Sequence, residues 1–295
     1  MISDPVIQVS DLVCRFGNQA VLDGVNLEIE NGEVLVIMGG SGSGKSTLLR
    51  HMIGTFIPDG GFVKVFGEDL AELDENGMNT IRRQFGILFQ SGALFNSMSV
   101  ADNVALSLRE HTDLDPDIIE FIVKIKLEQV GLREAANKFP AEISGGMKKR
   151  AGLARALALD PKLLFYDEPS AGLDPVTSAS IDQLILGLAK KAGATSVVVT
   201  HEMDSAFVIA DRMAMLDKGK MLMVDKREAF EQLRDWSEEN VDELDERQQL
   251  IRQFLRGDAE GPLTKRKEDS SYAEDLLGLG APRLTKGPAV HSSKE

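Results

Sequence analysis

The sequence has little cysteine and no long apolar run. Cys14 is its single cysteine in 295 residues, so an intramolecular disulfide is impossible and a reducing cytosol is the expected compartment. No uninterrupted apolar stretch approaches the ~18–20 residues that cross a bilayer. The opening MISDPVIQVS lacks the basic start and apolar stretch of a secretory signal, so none is expected. Any role at a membrane is therefore expected to depend on a partner.

Basic charge is also in deficit. Lys and Arg number 33 against 47 Asp and Glu, which gives a net charge of −14. Nucleic-acid backbones favour basic surfaces, so no nucleic-acid partner is expected. The apolar fraction of 43% and charged fraction of 27% are those of a soluble globular protein.

Strand and helix patterns alternate over the first 230 or so residues. EVLVIMGG (33–40) is a continuous apolar run ending in glycines, which is typical of a strand buried on both faces. Further strands are predicted in FGILFQ (85–90), KLLFYDEP (162–169) and TSVVVTHE (195–202). VIQVSDLVCRF and VNLEIENG instead alternate apolar and polar residues, as half-buried antiparallel strands do. The pattern predicts an α/β domain with a parallel sheet flanked by helices.

The same patterns divide the chain into regions. The α/β domain is expected at 5–235, with a mostly helical subdomain at about 91–160. Residues 236–256 read as an amphipathic helical extension. Residues 257–295 are rich in Gly, Pro, Ser and charge, and a flexible tail is expected there.

A phosphate-binding loop follows the first buried strand. GGSGSGKS fits G-x-x-x-x-G-K-[ST] and opens the helix STLLRHMIG, a context that disfavours a plain Gly/Ser turn. Lys45 can reach the β- and γ-phosphates, and the hydroxyl of Ser46 can ligate Mg²⁺. The candidate nucleotide-binding residues here are Gly39, Gly40, Ser41, Gly42, Ser43, Gly44, Lys45, Ser46 and Thr47.

Two carboxylates follow the apolar strand in LLFYDE. Asp167 is a candidate Mg²⁺ ligand, and Glu168 is placed to polarise the attacking water. An acidic pair after a strand is weak support for a site when it stands alone, because strand ends are often polar. Together with the phosphate loop it predicts a nucleotide-hydrolysing site.

Three more residues are candidates because of where they lie in the chain. Gln90 ends the strand GILFQ and could reach Mg²⁺ or the lytic water; His201 ends SVVVTH and could donate to the γ-phosphate. Phe16, in RFG, could stack under an adenine. Taken singly, they would be read as a loop glutamine, a structural histidine and a core phenylalanine. Their positions at strand ends and in a hairpin, where such a sheet exposes its ligand-facing edge, favour the site.

The stretch ISGGMKKRAG (143–152) has two interpretations. Ser and two glycines before a helix form either an ordinary cap or an anion site built from free backbone amides. The three cations that follow, Lys148, Lys149 and Arg150, are expected to form a solvated helix face.

The order of these motifs resembles the nucleotide-binding domain of ABC-type ATPases over roughly residues 5 to 230. The resemblance implies a RecA-like parallel sheet core, an N-terminal antiparallel β subdomain and an inserted helical subdomain. It implies ATP and Mg²⁺ as cofactors and Glu168, His201 and Lys45 as catalytic residues. The family motifs map onto Phe16 (aromatic loop), Gly39–Ser46 (Walker A), Gln90 (Q-loop), Ser144, Gly145 and Gly146 (signature), Asp167 and Glu168 (Walker B), Asp174 (D-loop) and His201 (switch histidine).

Two residues depart from the family pattern. Met147 stands where the signature usually has Gln, and Phe16 stands where the stacking residue is usually Tyr. Stacking needs only a ring face, and the Ser hydroxyl and Gly amides of the signature are kept. Neither departure is therefore read as inactivating.

The resemblance also implies partners. In this family the signature of one domain closes on the γ-phosphate bound by another, so a homodimer or a pair with a related ATPase subunit is expected. A separate integral membrane permease is implied, contacted near the Q-loop. Leu94, Phe95 and Met98 would either line a groove for its coupling helix or belong to the core of the helical subdomain.

Four stretches are more specific. LFQSGALFNSMSVADNVALSLREHT, ISGGMKKRAGLARALALDP, DEPSAGLDP and IRQFLRGDAEGP look like the ATPase of Mla/Mce-type phospholipid transporters. That resemblance implies an MCE-domain lipid-binding partner and a location on the cytoplasmic face of the inner or plasma membrane. The alternatives are another ABC importer or exporter, for lipopolysaccharide or an organic solute, and a soluble regulatory ABC ATPase.

Overall fold

The computed structural model describes residues 4–263, which divide into two compact units between Asp235 and Trp236. Within these residues there are ten strands and nine α-helices. The strands are Ile7–Phe16 (β1), Gln19–Ile29 (β2), Val34–Met38 (β3), Gly60–Val65 (β4), Glu68–Asp69 (β5), Phe85–Leu88 (β6), Leu163–Asp167 (β7), Thr195–Val199 (β8), Arg212–Asp217 (β9) and Lys220–Lys226 (β10). The helices are Lys45–Met52 (α1), Glu75–Arg82 (α2), Val100–His111 (α3), Pro116–Gln129 (α4), Gly145–Ala156 (α5), Pro175–Ala192 (α6), Met203–Ile209 (α7), Arg227–Arg234 (α8) and Glu246–Arg256 (α9).

A six-stranded sheet forms the centre of the first unit. Its order is β10-β9-β3-β8-β7-β6, with parallel pairing throughout except at β10, which runs antiparallel to β9. Every residue of β3 and β8 is buried, which explains the uninterrupted apolar sequence of β3 and the three consecutive valines of β8. The register pairs Ile37 with Val199 and Val199 with Asp167, so the carboxyl ends of β3, β8 and β7 meet at one edge.

A second, antiparallel sheet packs beside the first. Its order is β2-β1-β4-β5, and β1 alternates buried and less buried residues as its sequence predicts. One hydrophobic cluster joins the two sheets and α1; it includes Leu12 and Val63 from the small sheet, Ile37 and Phe165 from the large one, and Leu48 from the helix. Burial of each such side chain contributes about 1.5–3 kcal/mol to folding. The cluster thereby fixes the hairpin β1–β2 beside the phosphate loop.

Helices α3, α4 and α5 lie between β6 and β7 in the chain. Ser99 caps α3 by accepting from the backbone N–H of Asp102, and Asp115 caps α4, which has Pro116 at its first position. Lys126 is buried on α4 and its Nζ lies 2.5 Å from a carboxylate oxygen of Asp160. The expected parallel sheet, antiparallel β subdomain and helical insertion are thus all present.

The second unit begins at Trp236. Its helix α9 starts with a capping box, in which Asp245 accepts from the N–H of Gln248 and the Gln248 side chain accepts from the N–H of Asp245. The guanidinium of Arg252 donates to the carbonyl oxygen of Trp236 at 3.0 Å, which closes the unit on itself. Most of the predicted flexible tail, 264–295, lies outside the described residues. Between residues 4 and 263, no helix combines the length and apolar character that spanning a membrane requires.

Candidate active site

The phosphate loop connects β3 to α1 and approaches its neighbours closely. Gly39 has φ of +154°, and a β-carbon there would lie 2.1 Å from the carbonyl oxygen of Leu216. No side chain fits at that position, so the glycine is a steric requirement. The Lys45 ammonium folds back over the loop and donates to the carbonyl oxygens of Gly39 at 2.8 Å and Gly40 at 3.0 Å. The loop therefore wraps around the ammonium of Lys45, the group that the sequence predicts will bind phosphate.

The charges at this edge of the sheet influence one another. Burial lowers the pKa of Lys45, while the carboxylates of Glu168 and Asp167 act in the opposite direction. Burial also raises the pKa of Asp167, and the neighbouring charge of Glu168 adds to that rise. Two carboxylates and one ammonium are thus held in one low-dielectric environment, which is where an added cation or phosphate would interact most strongly.

Glu168 is held by groups on three sides. Its backbone N–H donates to the carbonyl oxygen of Val199 at 2.9 Å. One carboxylate oxygen lies 2.8 Å from Nδ1 of His201, and the other accepts from the His201 N–H at 3.3 Å. The Glu168 side chain is 13% exposed, whereas that of His201 is 56% exposed. The predicted base and the predicted switch histidine are therefore in direct contact.

Oxygen donors suited to Mg²⁺ come from three neighbouring segments. Ser46 lies exposed on the first turn of α1, and Asp167 is the last residue of β7. Gln90 is exposed just beyond β6, the strand that pairs directly with β7. Hydroxyl, carboxylate and amide oxygens are the ligand types that this ion accepts, so the residues present fit it.

Phe16 ends β1 at the tip of the hairpin, and its side chain is 55% exposed. It is supported from one side by Phe56, in an edge-to-face contact with ring centroids 6.0 Å apart. The hairpin itself touches the phosphate loop, because a β-carbon on Gly44 would meet Leu22 at 2.8 Å. An exposed aromatic ring beside the loop is the arrangement that adenine stacking requires.

The signature residues form a separate group. Ser144 caps α5 by accepting from the N–H of Met147, and Gly145 is exposed beside it. A β-carbon on Gly146 would lie 2.4 Å from the Thr177 side chain, and Thr177 in turn donates to Asp174. Signature and D-loop therefore pack together within the chain. Among the residues described, no hydrogen bond or ion pair joins Ser144 to the phosphate loop.

The cations after the signature do not form the solvated face that was expected. Lys149 is buried and its Nζ donates to the carbonyl oxygen of Glu168 at 2.6 Å. Arg150 is half-buried and donates to the Ser180 hydroxyl at 3.0 Å. The prediction was wrong because α5 packs against the end of β7 and against α6, contacts between segments far apart in sequence. Arg155, which sequence reasoning also missed, donates to the carbonyls of Gly92 and Ala93 just after Gln90.

A family comparison agrees with this geometry. The sequence pattern of the ABC transporter family matches residues 22–171, half of the chain. The chain belongs to the ABC transporter family. The matched residues of this ABC protein include the phosphate loop, the Q-loop, the signature and the acidic pair, in the order that the sequence predicts.

Relatives of this ABC protein match more than nine tenths of its length. It is 41% identical over 95% of its length to the probable ribonucleotide transport ATP-binding protein mkl of Mycobacterium leprae, covering 78% of that protein. It is 40% identical over 92% of its length to the intermembrane phospholipid transport system ATP-binding protein MlaF of Escherichia coli K12, covering 96% of that protein. The Haemophilus influenzae MlaF is 38% identical, with 92% of this chain and 98% of that protein covered.

Solved ABC structures share its fold. The dimeric ATP-binding cassette MJ0796, in a post-hydrolysis state bound to ADP and Pi, superposes with a TM-score of 0.69 at 31% identity, covering 75% of this chain and 98% of that one. The cbiO1 subunit of the Clostridium perfringens cbiONQ transporter gives a TM-score of 0.71 at 30% identity, covering 77% and 90%. The expected ABC fold is confirmed, whereas the roles of individual site residues remain predictions.

Proposed function

We propose that the chain is the ATP-hydrolysing subunit of an ABC transporter that moves phospholipid between membranes. The observation that carries this proposal is the similarity to MlaF, which extends over 92% of this chain and 96% of the E. coli protein. That span goes well beyond the family match at 22–171 and beyond the 75–77% of the chain that the solved ABC cassettes cover. The chain is an ATPase, and the transport it powers is assigned from this relationship.

In the proposed reaction the chain's residues bind and orient the nucleotide. Lys45 exchanges its loop carbonyls for the β- and γ-phosphates, and Phe16 supports the adenine. Glu168 accepts a proton from the attacking water, while His201 orients that carboxylate and donates to the γ-phosphate. The assignments of Lys45, Glu168 and His201 rest on the contacts of the phosphate loop and of the Glu168–His201 pair. That of Phe16 rests on its exposed ring.

Magnesium would be held by Ser46, Gln90 and Asp167. Bound there, it would supply Lewis-acid stabilisation of charge on the phosphate oxygens. The neighbouring negative charge of Glu168, which together with burial raises the pKa of Asp167, favours a cation at this position. Asp167 would then serve as the carboxylate ligand, and Glu168 would keep its role toward water.

The signature serves the nucleotide of a second subunit. Ser144 and Gly145 are exposed at the start of α5, with the positive end of the helix dipole and its free amides behind them. Their contacts within the chain lead to the D-loop and not to the phosphate loop. A homodimer, or a pair with a related ATPase subunit, would complete both sites. The dimeric state of the MJ0796 cassette supports this arrangement.

A membrane permease would contact the helical subdomain, placing the ATPase on the cytoplasmic face of the inner or plasma membrane. Phe95 is exposed after the Q-loop, and Leu94 and Met98 are half-buried beside it. The outer face of α4 adds the exposed side chains of Ile118 and Phe121. Exposed apolar residues that lie one helical turn apart, as Ile118 and Phe121 do, favour an interaction surface. An MCE-domain protein would join the assembly through the permease.

The test is ATP-driven lipid transfer by the reconstituted assembly. Wild-type chain, permease and MCE protein are expected to move fluorescent phospholipid between donor and acceptor vesicles in the presence of ATP. The same assembly with Glu168→Gln should bind ATP but move no lipid. Transfer that is independent of ATP, or equal with Glu168→Gln, would contradict the proposal.

The mycobacterial relatives motivate a second candidate cargo. Their name assigns probable ribonucleotide transport to proteins 41% identical to this chain. Radiolabelled ribonucleotide uptake into vesicles carrying the assembly distinguishes the two cargoes. A chain that fractionates away from membranes even when its permease is present would instead be a regulatory ABC ATPase.

A further inference from the structure

Lys149 carries a buried ammonium group in the second turn of α5. Its side chain is 5% exposed, and Nζ donates to the carbonyl oxygen of Glu168 at 2.6 Å. Burial lowers the pKa of this ammonium, and the carboxylates of Glu168 and Asp167 oppose that effect. Removing a charged group from water is unfavourable unless partners compensate for it. The contact with Glu168 is therefore a specific internal one and not a surface ion pair.

The backbone of Glu168 needs such support. Its φ is +50°, in the left-handed region that side chains with a β-carbon avoid by about 1–2 kcal/mol. Residues in this region persist where the surroundings hold them, often at functional sites. Val199 holds the N–H of Glu168, His201 holds its carboxylate, and Lys149 holds its carbonyl. Of these three contacts, the one from Lys149 comes from the signature helix.

Lys149 lies close to the signature along a rigid element. An α-helix rises about 1.5 Å per residue, so four residues place Lys149 about 6 Å along the axis from Gly145. Arg150 ties the same turn to Ser180 on α6. A movement of the first turn of α5 would therefore move the Lys149 ammonium and, with it, the carbonyl group of Glu168.

We propose that Lys149 is a positioning residue that holds Glu168 in its left-handed conformation and links the signature to the base of its own subunit. Closure of Ser144 over the partner subunit's nucleotide would then align Glu168 for the nucleotide bound in cis. The two sites of a dimer would be coupled through α5. This inference rests on the proposed roles of Glu168 and Ser144.

The first experiment compares three variants of the full chain by steady-state ATPase assay and thermal unfolding. Lys149→Met removes the ammonium, Lys149→Arg keeps a cationic donor, and Lys126→Met removes an equally buried lysine that pairs with Asp160 instead. For Lys149→Met we expect kcat to fall at least tenfold with KM within twofold of wild type, and Lys149→Arg to recover part of the loss. Lys126→Met should keep kcat within twofold. If Lys149→Met loses no more kcat than Lys126→Met at a similar fall in Tm, or if only KM rises, the proposal is overturned.

Glu168→Gln is measured alongside to separate this inference from the proposed function. If Glu168→Gln turns over at the wild-type rate, the assignment of the base fails and this inference fails with it. If Glu168→Gln is inactive while Lys149→Met matches wild type, the inference alone fails.

Mixed dimers test which site Lys149 serves. With Lys149→Met on one chain and Ser144→Arg on the other, both changes fall on the same nucleotide site, and the second site keeps its own Lys149 and its partner's Ser144. With both on one chain, each site carries one change. We expect the first dimer to be the faster, because its surviving site keeps Lys149 beside Glu168; equal rates, or the reverse order, would overturn the assignment of Lys149 to the base of its own subunit.

Discussion

His201 and Glu168 are joined twice, through imidazole Nδ1 at 2.8 Å from one carboxylate oxygen and through the His201 backbone N–H at 3.3 Å from the other. The contact bridges the ends of β7 and β8, which are neighbours in the parallel sheet. The exposed imidazole thereby orients a carboxylate that is mostly buried. The predicted switch histidine and the predicted base are thus mechanically linked.

Loss of the imidazole should slow chemistry without weakening nucleotide binding. For His201→Ala we expect kcat to fall by roughly 10²–10³-fold, the range for removal of one donor that stabilises charge in a transition state. KM should change little, because the phosphate loop is untouched. His201→Gln keeps a side-chain donor and should retain more activity. Steady-state kinetics with a nucleotide-binding assay check this, and a large rise in the nucleotide Kd with unchanged kcat would contradict it.

A bulky cation at the signature should block the partner's site only. Ser144→Arg fills the exposed start of α5, so each chain should still bind nucleotide while the homodimer hydrolyses none. Each site of the dimer is expected to combine Glu168 of one subunit with Ser144 of the other. A dimer of one Ser144→Arg chain and one Glu168→Gln chain should therefore have one site with both changes and one site with neither. That dimer should hydrolyse ATP faster than either homodimer. Normal turnover by the Ser144→Arg homodimer would contradict the trans arrangement.

Much of this site could be predicted because local sequence patterns specify it. The apolar runs VLVIM, LLFY and VVV lie in β3, β7 and β8. The phosphate-loop motif after the first run identified Lys45, and the polar residues close after the other two identified Glu168 and His201. Strand β4 was not predicted, since Gly60 and Gly61 at its start obscure the alternation of the four residues that follow. Its position depends on pairing with β1, a contact between distant segments.

The burial of Lys149 could not be predicted from the sequence for a different reason. Three consecutive cations on a helix are usually solvated, and the sequence around them contains nothing that indicates burial. The contact with Glu168 depends on the packing of α5 against the end of β7, nineteen residues later in the chain. The same is true of Arg155 and the carbonyls of Gly92 and Ala93. Backbone acceptors leave no residue pattern in a single sequence.

The exposed ring of Phe16 should contribute to nucleotide affinity and not to chemistry. For Phe16→Ala we expect the KM for ATP to rise about tenfold, since loss of a base–aromatic stack is worth ~1–3 kcal/mol. For Phe16→Tyr, which keeps the ring face, we expect values within twofold of wild type. Fluorescent-nucleotide titration checks both variants. If Phe16→Ala binds ATP as tightly as wild type, Phe16 is a hairpin residue that the adenine does not touch.

Asp182 is a buried carboxylate outside the nucleotide site. It lies on α6, and one of its oxygens accepts from the Ser205 hydroxyl at 2.7 Å, while the other has no hydrogen-bond partner. Burial raises the pKa of Asp182, the Ser205 hydrogen bond opposes this, and the charge of Glu202 adds to it. A carboxyl whose pKa is higher in the folded than in the unfolded state binds its proton more readily when folded. The free energy of unfolding therefore falls as pH rises from the pKa of Asp182 in the unfolded state through its pKa in the folded state.

Replacement of that carboxylate should stabilise the protein at neutral and alkaline pH. Asp182→Asn keeps an oxygen for Ser205 and removes the buried charge, so we expect Tm at pH 8 to rise by about 2–4 °C, which corresponds to about 1 kcal/mol in a domain of this size. The gain should vanish below pH ~4, where the carboxyl is protonated in both states. Asp102→Asn is the opposite control, because hydrogen bonds from Ser99 and Arg109 lower the pKa of Asp102. That variant should lose stability at neutral pH and recover it in acid. A lower Tm for Asp182→Asn at pH 8 would mean that the charged form of Asp182, despite its burial, stabilises the contact between α6 and Ser205.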